Sequence, residues 1–234
     1  RLIDEARRRG GDITADCYPY DAWSSTITVL VPSRRHDDPV AVAKGLEDVG
    51  GAGNILITSC RAHPDYEGAT LAEVAARRAI TPVDSYIQIV RDGGASVVCK
   101  SMTDEDIRTF YRQPWVMVSS DGGIGMRHPR GTGTFPRVLG RFVRERGWLS
   151  LEASIHKMTG LPAKRLSLAD RGLLKRGLKA DVVVFDPGRV IDRSTMLEPF
   201  LEPVGMQTVI VNGRVVLNDG IVTGLRPGEV LRRR

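Results

Sequence analysis

Asp121 is the side chain in this sequence whose type and position most clearly indicate chemistry. It lies in Ser120-Asp121-Gly122-Gly123, directly after the apolar run 115–119. A carboxylate at the end of a buried strand is costly to desolvate unless it meets a cation, a metal or hydrogen-bond donors. The following glycines let the backbone turn sharply or pass close to a ligand. We interpret Asp121 as a catalytic carboxylate; a turn aspartate is the alternative, because Asp-Gly is also a common turn pair.

The loop 125–135 follows Asp121 and holds His128 and Arg130 between glycines. Arginine forms the bidentate fork that recognises a carboxylate. We therefore predict that this loop offers positive charges to a substrate, with a merely solvated loop as the alternative. The next helix is predicted to begin at Phe135-Pro136, since proline favours the first turn of a helix.

Two further polar segments follow predicted strands, where α/β folds place their sites. In Asp16-Cys17-Tyr18-Pro19-Tyr20, Tyr18 is a candidate substrate-binding residue, although a tyrosine there could simply form a wall. In Cys60-Arg61-Ala62-His63, Arg61 and His63 suit a substrate carboxylate, although a loop histidine is more often part of the surface.

A complete metal site is not evident in the sequence. A metal hydrolase needs about three or four ligands. The four histidines form no His-x-His or His-x-x-x-His pair, and the three cysteines form no Cys-x-x-Cys pair; they are His36, His63, His128, His156, Cys17, Cys60 and Cys99. Any metal bound near Asp121 would therefore need ligands from elsewhere. A start at helical spacing without a capping residue before Arg1 also suggests part of a longer protein.

Short apolar runs alternate with helical patterns up to about residue 168. Strands are predicted at 13–17, 55–58, 97–99 and 115–119, with 18–38 as a long loop. This β/α alternation predicts a parallel sheet covered by helices. Four strands fit a small open sheet or the back half of a barrel, because a whole (β/α)8 barrel takes ~200–250 residues. Later runs, split by the hairpin signal Asn212-Gly213, predict a small β module.

Composition excludes several classes of protein. Hydrophobic residues make up 41% and charged residues 26%, as in ordinary globular domains. No apolar run reaches the ~18–20 residues of a membrane helix, and no signal core is present. The net charge of +6 comes from dispersed arginines without interleaved aromatics, so we expect no nucleic-acid partner. The scattered cysteines predict a reducing, cytoplasmic location.

The order of several segments resembles the N-acyl-D-amino-acid deacylases (D-aminoacylases) of the amidohydrolase superfamily. The resemblance rests on Asp16-Cys17-Tyr18-Pro19-Tyr20, Ser119-Ser120-Asp121-Gly122, His128-Pro129-Arg130, Gly133-Thr134-Phe135-Pro136-Arg137-Val138-Leu139, Lys157-Met158-Thr159-Gly160-Leu161-Pro162-Ala163, Arg171-Gly172-Leu173-Leu174 and Ala180-Asp181-Val182-Val183-Val184-Phe185-Asp186. It covers essentially the whole chain.

The resemblance implies an α/β fold: the C-terminal half of a (β/α)8 TIM-like barrel, with the region of strands 6–8 in residues 1–168. A small β-sandwich module would follow in 169–234. It implies a zinc-dependent hydrolase that cleaves the linear amide bond of N-acyl-D-amino acids, small molecules with a free carboxylate. A fragment of this extent is expected to be inactive alone.

The resemblance also implies roles for three residues. Asp121 would contact the metal and shuttle a proton, and Arg130 would grip the substrate's α-carboxylate. Tyr18 falls where some members place a metal-ligating histidine, which implies one zinc rather than two. The remaining ligands would lie outside this sequence.

Two alternatives stay open. One is an amidohydrolase that opens cyclic amides, as dihydroorotases and hydantoinases do, although the His128-Pro129-Arg130 loop argues against it. The other is a non-catalytic fragment or assembly partner, because half a barrel exposes sheet edges and an apolar face that must be covered.

Overall fold

The structure, a computed structural model, describes residues 1–232 and has a mixed α/β fold. The helices are α1 (Leu2–Arg8), α2 (Pro39–Asp48), α3 (Leu71–Arg77), α4 (Pro82–Arg91), α5 (Asp104–Tyr111), α6 (Arg130–Arg137), α7 (Leu151–Met158) and α8 (Gly160–Arg165), with a π-helix, Val138–Glu145, continuing α6. The strands are β1 (Ala15–Cys17), β2 (Ala22–Thr26), β3 (Ile55–Ser59), β4 (Ser96–Lys100), β5 (Val116–Val118), β6 (Val182–Phe185), β7 (Met206–Val211), β8 (Arg214–Asn218) and β9 (Ile221–Val222).

Strands β1 and β5 form a parallel pair that positions the candidate site. Ala15 lies opposite Val116, and Cys17 lies opposite Val118. Since parallel strands end at the same edge, the segments that follow them emerge side by side. Helices pack against this strand pair through a buried cluster around Tyr111 and Phe142. The two rings meet edge to face, with their centroids 5.2 Å apart.

The prediction that 55–58 and 97–99 join a parallel sheet is wrong. β4 pairs antiparallel with both β2 and β3, in the order β2-β4-β3. The segment expected to be a long loop contains β2 and the 3-10 helix Ile27–Leu30. Short apolar runs indicate strands without showing their partners, and β2, with the sequence Ala-Trp-Ser-Ser-Thr, has too few apolar residues to stand out.

Helix α6 begins at Arg130, five residues earlier than expected, and Pro136 lies inside it. Gly131 and Gly133 weaken the helical pattern in the sequence. Gly133 is nevertheless required, because a Cβ there would lie 2.3 Å from Tyr20 Oη and 2.5 Å from Ser194 Oγ. Close packing therefore determines this helix more strongly than local propensity does.

The C-terminal strands form one antiparallel sheet in the order β6-β7-β8-β9. The predicted hairpin at Asn212-Gly213 is confirmed: both residues have positive φ, and Val211 pairs with Arg214 across the turn. Among the described residues after 168, these four strands make a single sheet, so the sandwich expected from the sequence is not confirmed. The last two positions of that expected module, 233–234, lie outside the described residues.

No helix among the described residues combines the length and apolar character that a bilayer crossing requires.

Candidate functional site

The site is built where β1 and β5 end. The strands stay together for one more residue, because Ser119 N donates to Cys17 O at 3.1 Å and Ser119 Oγ donates to Asp16 Oδ1 at 2.8 Å. Asp121 then adopts φ +44°. Among non-glycine residues, aspartate and asparagine tolerate this left-handed region best. The turn projects the Asp121 carboxylate away from the buried strand.

Asp121 and Arg130 form an ion pair, with Oδ2 and Nη2 2.9 Å apart. The two side chains differ sharply in burial: that of Asp121 is 64% exposed, whereas that of Arg130 is 5% exposed. The guanidinium carbon lies 4.8 Å from the centroid of the Tyr18 ring, and the buried Nε has no hydrogen-bond partner among the described residues. A buried, aromatic-backed guanidinium with a spare donor is well suited to bind a carboxylate.

Tyr18 completes this group as a neutral side chain. Burial raises the pKa of its phenol, and the positive charge of Arg130 opposes that shift. The hydroxyl therefore stays protonated near neutral pH and can donate a hydrogen bond to an anion beside Arg130. The structure thus brings together three residues that the sequence proposed: Asp121, Arg130 and Tyr18.

A cleft of about 500 Å³ lies alongside Asp121. It is lined by the glycine-rich segment after β5, the start of α6 and the side chain of Phe200. Pockets for small molecules commonly fall in this size range. Ser120 and Gly122, on either side of Asp121, line this cleft, whereas Asp121, Arg130 and Tyr18 are not among its lining residues.

The absence of a side chain at Gly122 allows the segments that carry Asp121 and Arg130 to approach each other closely. A Cβ on Gly122 would lie 2.8 Å from the Cα of Gly131, a backbone atom that cannot swing aside. We expect Gly122→Ala to lower the free energy of unfolding by about 1–3 kcal/mol through overpacking. Gly123→Ala is the matched control, since its nearest contact is the flexible Met126 Cε at 3.7 Å. Urea denaturation of the two variants measures this difference, and equal stabilities would contradict the contact.

His128 does not supply the positive charge expected of it. Its side chain is buried, its Nε2 lies 3.0 Å from Ala22 O, and its Nδ1 accepts a hydrogen bond from Arg130 N at 3.0 Å. Burial, followed by the nearby Arg130, lowers the pKa of His128 to about 4. The neutral ring instead accepts the N–H of Arg130, the first residue of α6, and so holds the backbone of Arg130 in place.

The buried state of His128 predicts a pH dependence of stability. Histidine in an unfolded chain titrates near pH 6.5, so between about pH 6.5 and 4 the unfolded chain binds a proton that the folded protein does not. The contribution of His128 to the free energy of unfolding is therefore complete above about pH 6.5. It declines by roughly 3 kcal/mol as the pH falls to about 4. Urea unfolding of metal-free protein across this range should show a shallower pH dependence for His128→Asn. His156→Asn changes an exposed histidine and should leave the slope unchanged; equal slopes for both variants would contradict the assignment.

Arg61 and His63 lie apart from this group and make no hydrogen bond or ion pair with Asp121, Arg130 or Tyr18 in the described part of the chain. His63 Nε2 bonds to Asp92 Oδ2 at 2.7 Å, and Arg61 is exposed. The reason is that β3 runs antiparallel in its own sheet and does not share an edge with β1 and β5. Their role as substrate ligands stays a prediction that the observed contacts do not support.

The structure also contains a network that the sequence did not reveal. Asp192 is buried and pairs with Arg137 and Arg141, at 3.0 and 2.8 Å. The sequence did show two arginines four residues apart, a spacing that places them on one helix face and could have indicated a shared partner. Their carboxylate partner is more than fifty residues away in sequence, so no local pattern could identify it.

The described residues do not form a complete metal centre. No group of three His, Cys, Asp or Glu side chains in 1–232 is arranged to hold an ion. The exposed carboxylate of Asp121 can offer one ligand, whereas a catalytic zinc normally takes three from the protein. Any metal at this position would therefore need ligands beyond those of the described residues.

Comparison with known proteins identifies the family. The model of the amidohydrolase family, Amidohydro_3, matches residues 1–217. The chain is 40% identical over 233 residues to the N-acyl-D-glutamate deacylase of Alcaligenes xylosoxydans xylosoxydans, covering 99% of this chain and 43% of that protein. It is 36% identical to the D-aminoacylase of the same organism, covering 99% of this chain and 44% of that protein.

A solved structure shows the same relation. The N-acyl-D-glutamate deacylase of Bordetella bronchiseptica, in complex with zinc and a phosphonate inhibitor that mimics the tetrahedral reaction intermediate, superposes with a TM-score of 0.82 at 37% identity, covering 99% of this chain and 45% of that chain. The chain thus spans less than half the length of the relatives it matches. The family match nevertheless extends over nearly all of its residues, and we conclude that the chain belongs to the amidohydrolase family.

Proposed function

We propose that the complete protein, the polypeptide that contains this chain, hydrolyses the linear amide bond of N-acyl-D-amino acids. The observation that supports this most directly is the buried Arg130 guanidinium, backed by Tyr18 and paired with the exposed Asp121 carboxylate. A substrate with a free carboxylate matches the donors of that guanidinium. The D-configuration and the acyl group are suggested by the relatives, a D-aminoacylase and deacylases of N-acyl-D-glutamate and N-acyl-D-aspartate.

We further propose that β1 and β5 are neighbouring strands of a (β/α)8 barrel whose other strands lie outside this chain. Their parallel register supports this, because barrel strands pair in parallel and place catalytic groups at their C-terminal ends. Residues 1–168 would form the barrel part, with β2, β3 and β4 as an inserted sheet, and 169–234 would contribute to a β-sandwich.

In the proposed mechanism, Arg130 and Tyr18 bind the α-carboxylate and so orient the amide bond toward Asp121. Holding a reactant in the correct geometry removes much of the entropic cost of reaction. Asp121 accepts a proton from the attacking water as the new C–O bond forms. It then delivers that proton to the amide nitrogen as the C–N bond breaks, so that the amine leaves neutral. The products are a carboxylic acid and a free D-amino acid.

Zinc, when bound, would polarise water and the substrate carbonyl. Asp121 is the one ligand that this chain would contribute, and we propose that a single zinc suffices. A solved D-aminoacylase that is 35% identical to this chain is described as having a binuclear metal centre with "one-metal activation and second-metal attenuation". That description supports a one-metal active form in the relative. The cytoplasmic location and the absence of a nucleic-acid partner stay predictions.

A substrate panel tests the proposed function. The complete protein, reconstituted with zinc, is given N-acetyl-D-amino acids, their L-enantiomers, and the cyclic amides dihydroorotate and hydantoin. We expect kcat/KM for a D-substrate to exceed that for its L-enantiomer by about 100-fold or more, because misplacing the scissile bond by about 1 Å has an effect of that size. Faster opening of a cyclic amide would overturn the proposal in favour of the cyclic-amide class. No turnover of any substrate would favour a non-catalytic role.

A further inference from the structure

Asp192 lies between β6 and β7, outside the strand edge that carries the site, yet its side chain is fully buried. Its two carboxylate oxygens are divided between two arginines: Oδ2 pairs with Arg137 Nη1 at 3.0 Å, and Oδ1 pairs with Arg141 Nε at 2.8 Å. A buried carboxylate is strongly unfavourable without such partners. The three side chains therefore act as one unit.

Arg137 extends this unit to the segment that carries Tyr18. Its Nε donates to Pro19 O at 2.7 Å, and its guanidinium carbon lies 4.5 Å from the centroid of the Tyr20 ring. Within residues 1–232, Arg141 makes neither of these contacts. Only one of the two Asp192 partners therefore links Asp192 to the residues beside Tyr18.

The same region also holds the segment that carries Arg130. Tyr20 Oη donates to Pro129 O at 3.2 Å, and Ser194 Oγ donates to the same carbonyl at 3.4 Å. Pro129 immediately precedes Arg130. The contacts from Asp192 and Ser194 thus reach the backbone next to both members of the Tyr18–Arg130 pair.

The segment that contains Asp192 packs tightly against α6 and the π-helix that follows it. A Cβ on Gly133 would lie 3.1 Å from Asp192 Cβ, and a Cβ on Gly140 would lie 2.6 Å from Val190 O. The segment that contains Asp192 is therefore in direct contact with α6 and the π-helix that continues it. A shift of that segment must move the helix that begins at Arg130.

We propose that Asp192 is a positioning residue for the carboxylate-binding site: through Arg137 it sets the separation of Tyr18 and Arg130. The inference rests on the proposed function, since it assigns these two residues to the substrate carboxylate. Asp192 touches no reacting atom, and its effect reaches the substrate through Arg137 and the backbone of Pro19. The segment between two strands of the C-terminal sheet thereby tunes carboxylate recognition at the strand edge.

The test compares Arg137→Lys with Arg141→Lys in the complete, zinc-loaded protein. Each substitution keeps a positive charge near Asp192. A lysine in place of Arg137, however, lacks the planar fork whose Nε holds Pro19 O while its Nη1 holds Asp192, and it loses the contact of the guanidinium with the Tyr20 ring. Each variant is assayed with an N-acetyl-D-amino acid and with its neutral carboxamide, which lacks the carboxylate. We expect Arg137→Lys to raise KM for the acid about 10-fold, with kcat and the carboxamide reaction nearly unchanged. A loss of this size is at the lower end of the range found when a residue that orients a metal ligand is replaced. Arg141→Lys should leave the acid-to-amide ratio at the wild-type value.

Asp192→Asn provides a second variant, with urea denaturation to separate folding from function. It should reduce the acid-to-amide ratio in the same direction as Arg137→Lys. Equal losses on both substrates, or equal effects of the two arginine variants, would overturn the positioning role and leave a structural one. Isothermal titration of the acid without zinc separates the two proposals. Binding of the acid to the zinc-free protein, combined with no turnover by the zinc-loaded protein, would refute the proposed reaction while the affinities of the variants still test Asp192. No binding by the wild type would refute both proposals.

Discussion

Asp121→Asn is expected to lower kcat for amide hydrolysis by about 10³-fold, within the range attributed to general acid–base catalysis. Asparagine tolerates the left-handed backbone of this position, so the turn at φ +44° should survive. It retains an oxygen that can accept a hydrogen bond from Arg130, but it cannot take up and return a proton. The complete protein should therefore keep its fold and its zinc while losing turnover. Measurement of kcat together with metal content by mass spectrometry tests both parts.

Asp104→Asn is a closely matched control for this variant. Asp104 is 61% exposed and pairs with Arg146 at 2.9 Å, so its burial and ion-pair distance resemble those of Asp121. It lies in α5, outside the site, and its replacement should leave kcat unchanged. If Asp121→Asn retained activity, the proton-transfer role would be wrong. If it lost activity and zinc together, the carboxylate would act mainly as a ligand.

Arg130→Lys is expected to raise KM for N-acyl-D-amino acids by about 100-fold, the size expected for the loss of one hydrogen bond to a charged group. Lysine keeps the charge but presents a point donor in place of a planar fork, so a bidentate contact with the carboxylate is lost. It also gives up the contact of the guanidinium with the Tyr18 ring. Steady-state kinetics on the acid and on its carboxamide measure the effect, which should be confined to the acid.

Arg146→Lys is the control for this second prediction. The Arg146 guanidinium carbon lies 4.6 Å from the centroid of the Trp148 ring and the side chain pairs with Asp104, so it repeats the aromatic contact and pairing of Arg130 away from the site. It should leave KM unchanged. A comparable loss on the neutral carboxamide in Arg130→Lys would mean that Arg130 maintains the fold rather than the substrate contact.

Features set by neighbouring residues were predictable from the sequence. The pair Asp38-Pro39 is by itself a helix-start signal, and α2 begins there: Asp38 accepts hydrogen bonds from Val40 N and Ala41 N, and Pro39 occupies the first turn. Thr70 and Glu73 have the Ser/Thr-x-x-Glu spacing of a capping box, and α3 begins with that capping box. Asp121 and Arg130 were both identified as candidate site residues, and they lie within ten residues of each other in one glycine-rich segment.

Features set by distant residues were not predictable. The antiparallel sheet depends on the pairing of β2 with β4, which follows it by some seventy residues along the chain. The neutral state of His128 depends on its burial against Tyr18, Tyr20 and Ala22 O. A histidine between glycines in a sequence looks like an exposed cation, and only the tertiary packing shows that it is a buried hydrogen-bonding group.

The pairing of β1 with β5 has a consequence for how the protein folds. Ala15 meets Val116, and the chain between them carries the large core around Tyr86, Ile57 and Val97. Long-range parallel contacts form slowly because loop closure costs entropy before the contact contributes stability. On the proposal that β2, β3 and β4 form an inserted sheet, early folding of that sheet shortens the effective loop. We therefore expect the sheet to become protected first and the strand pair later. Pulse-labelled hydrogen exchange should show the amide of Ile57 slowing before that of Ser119. The strand edge that carries Asp121 would then be completed late, after synthesis of the chain has passed Asp121.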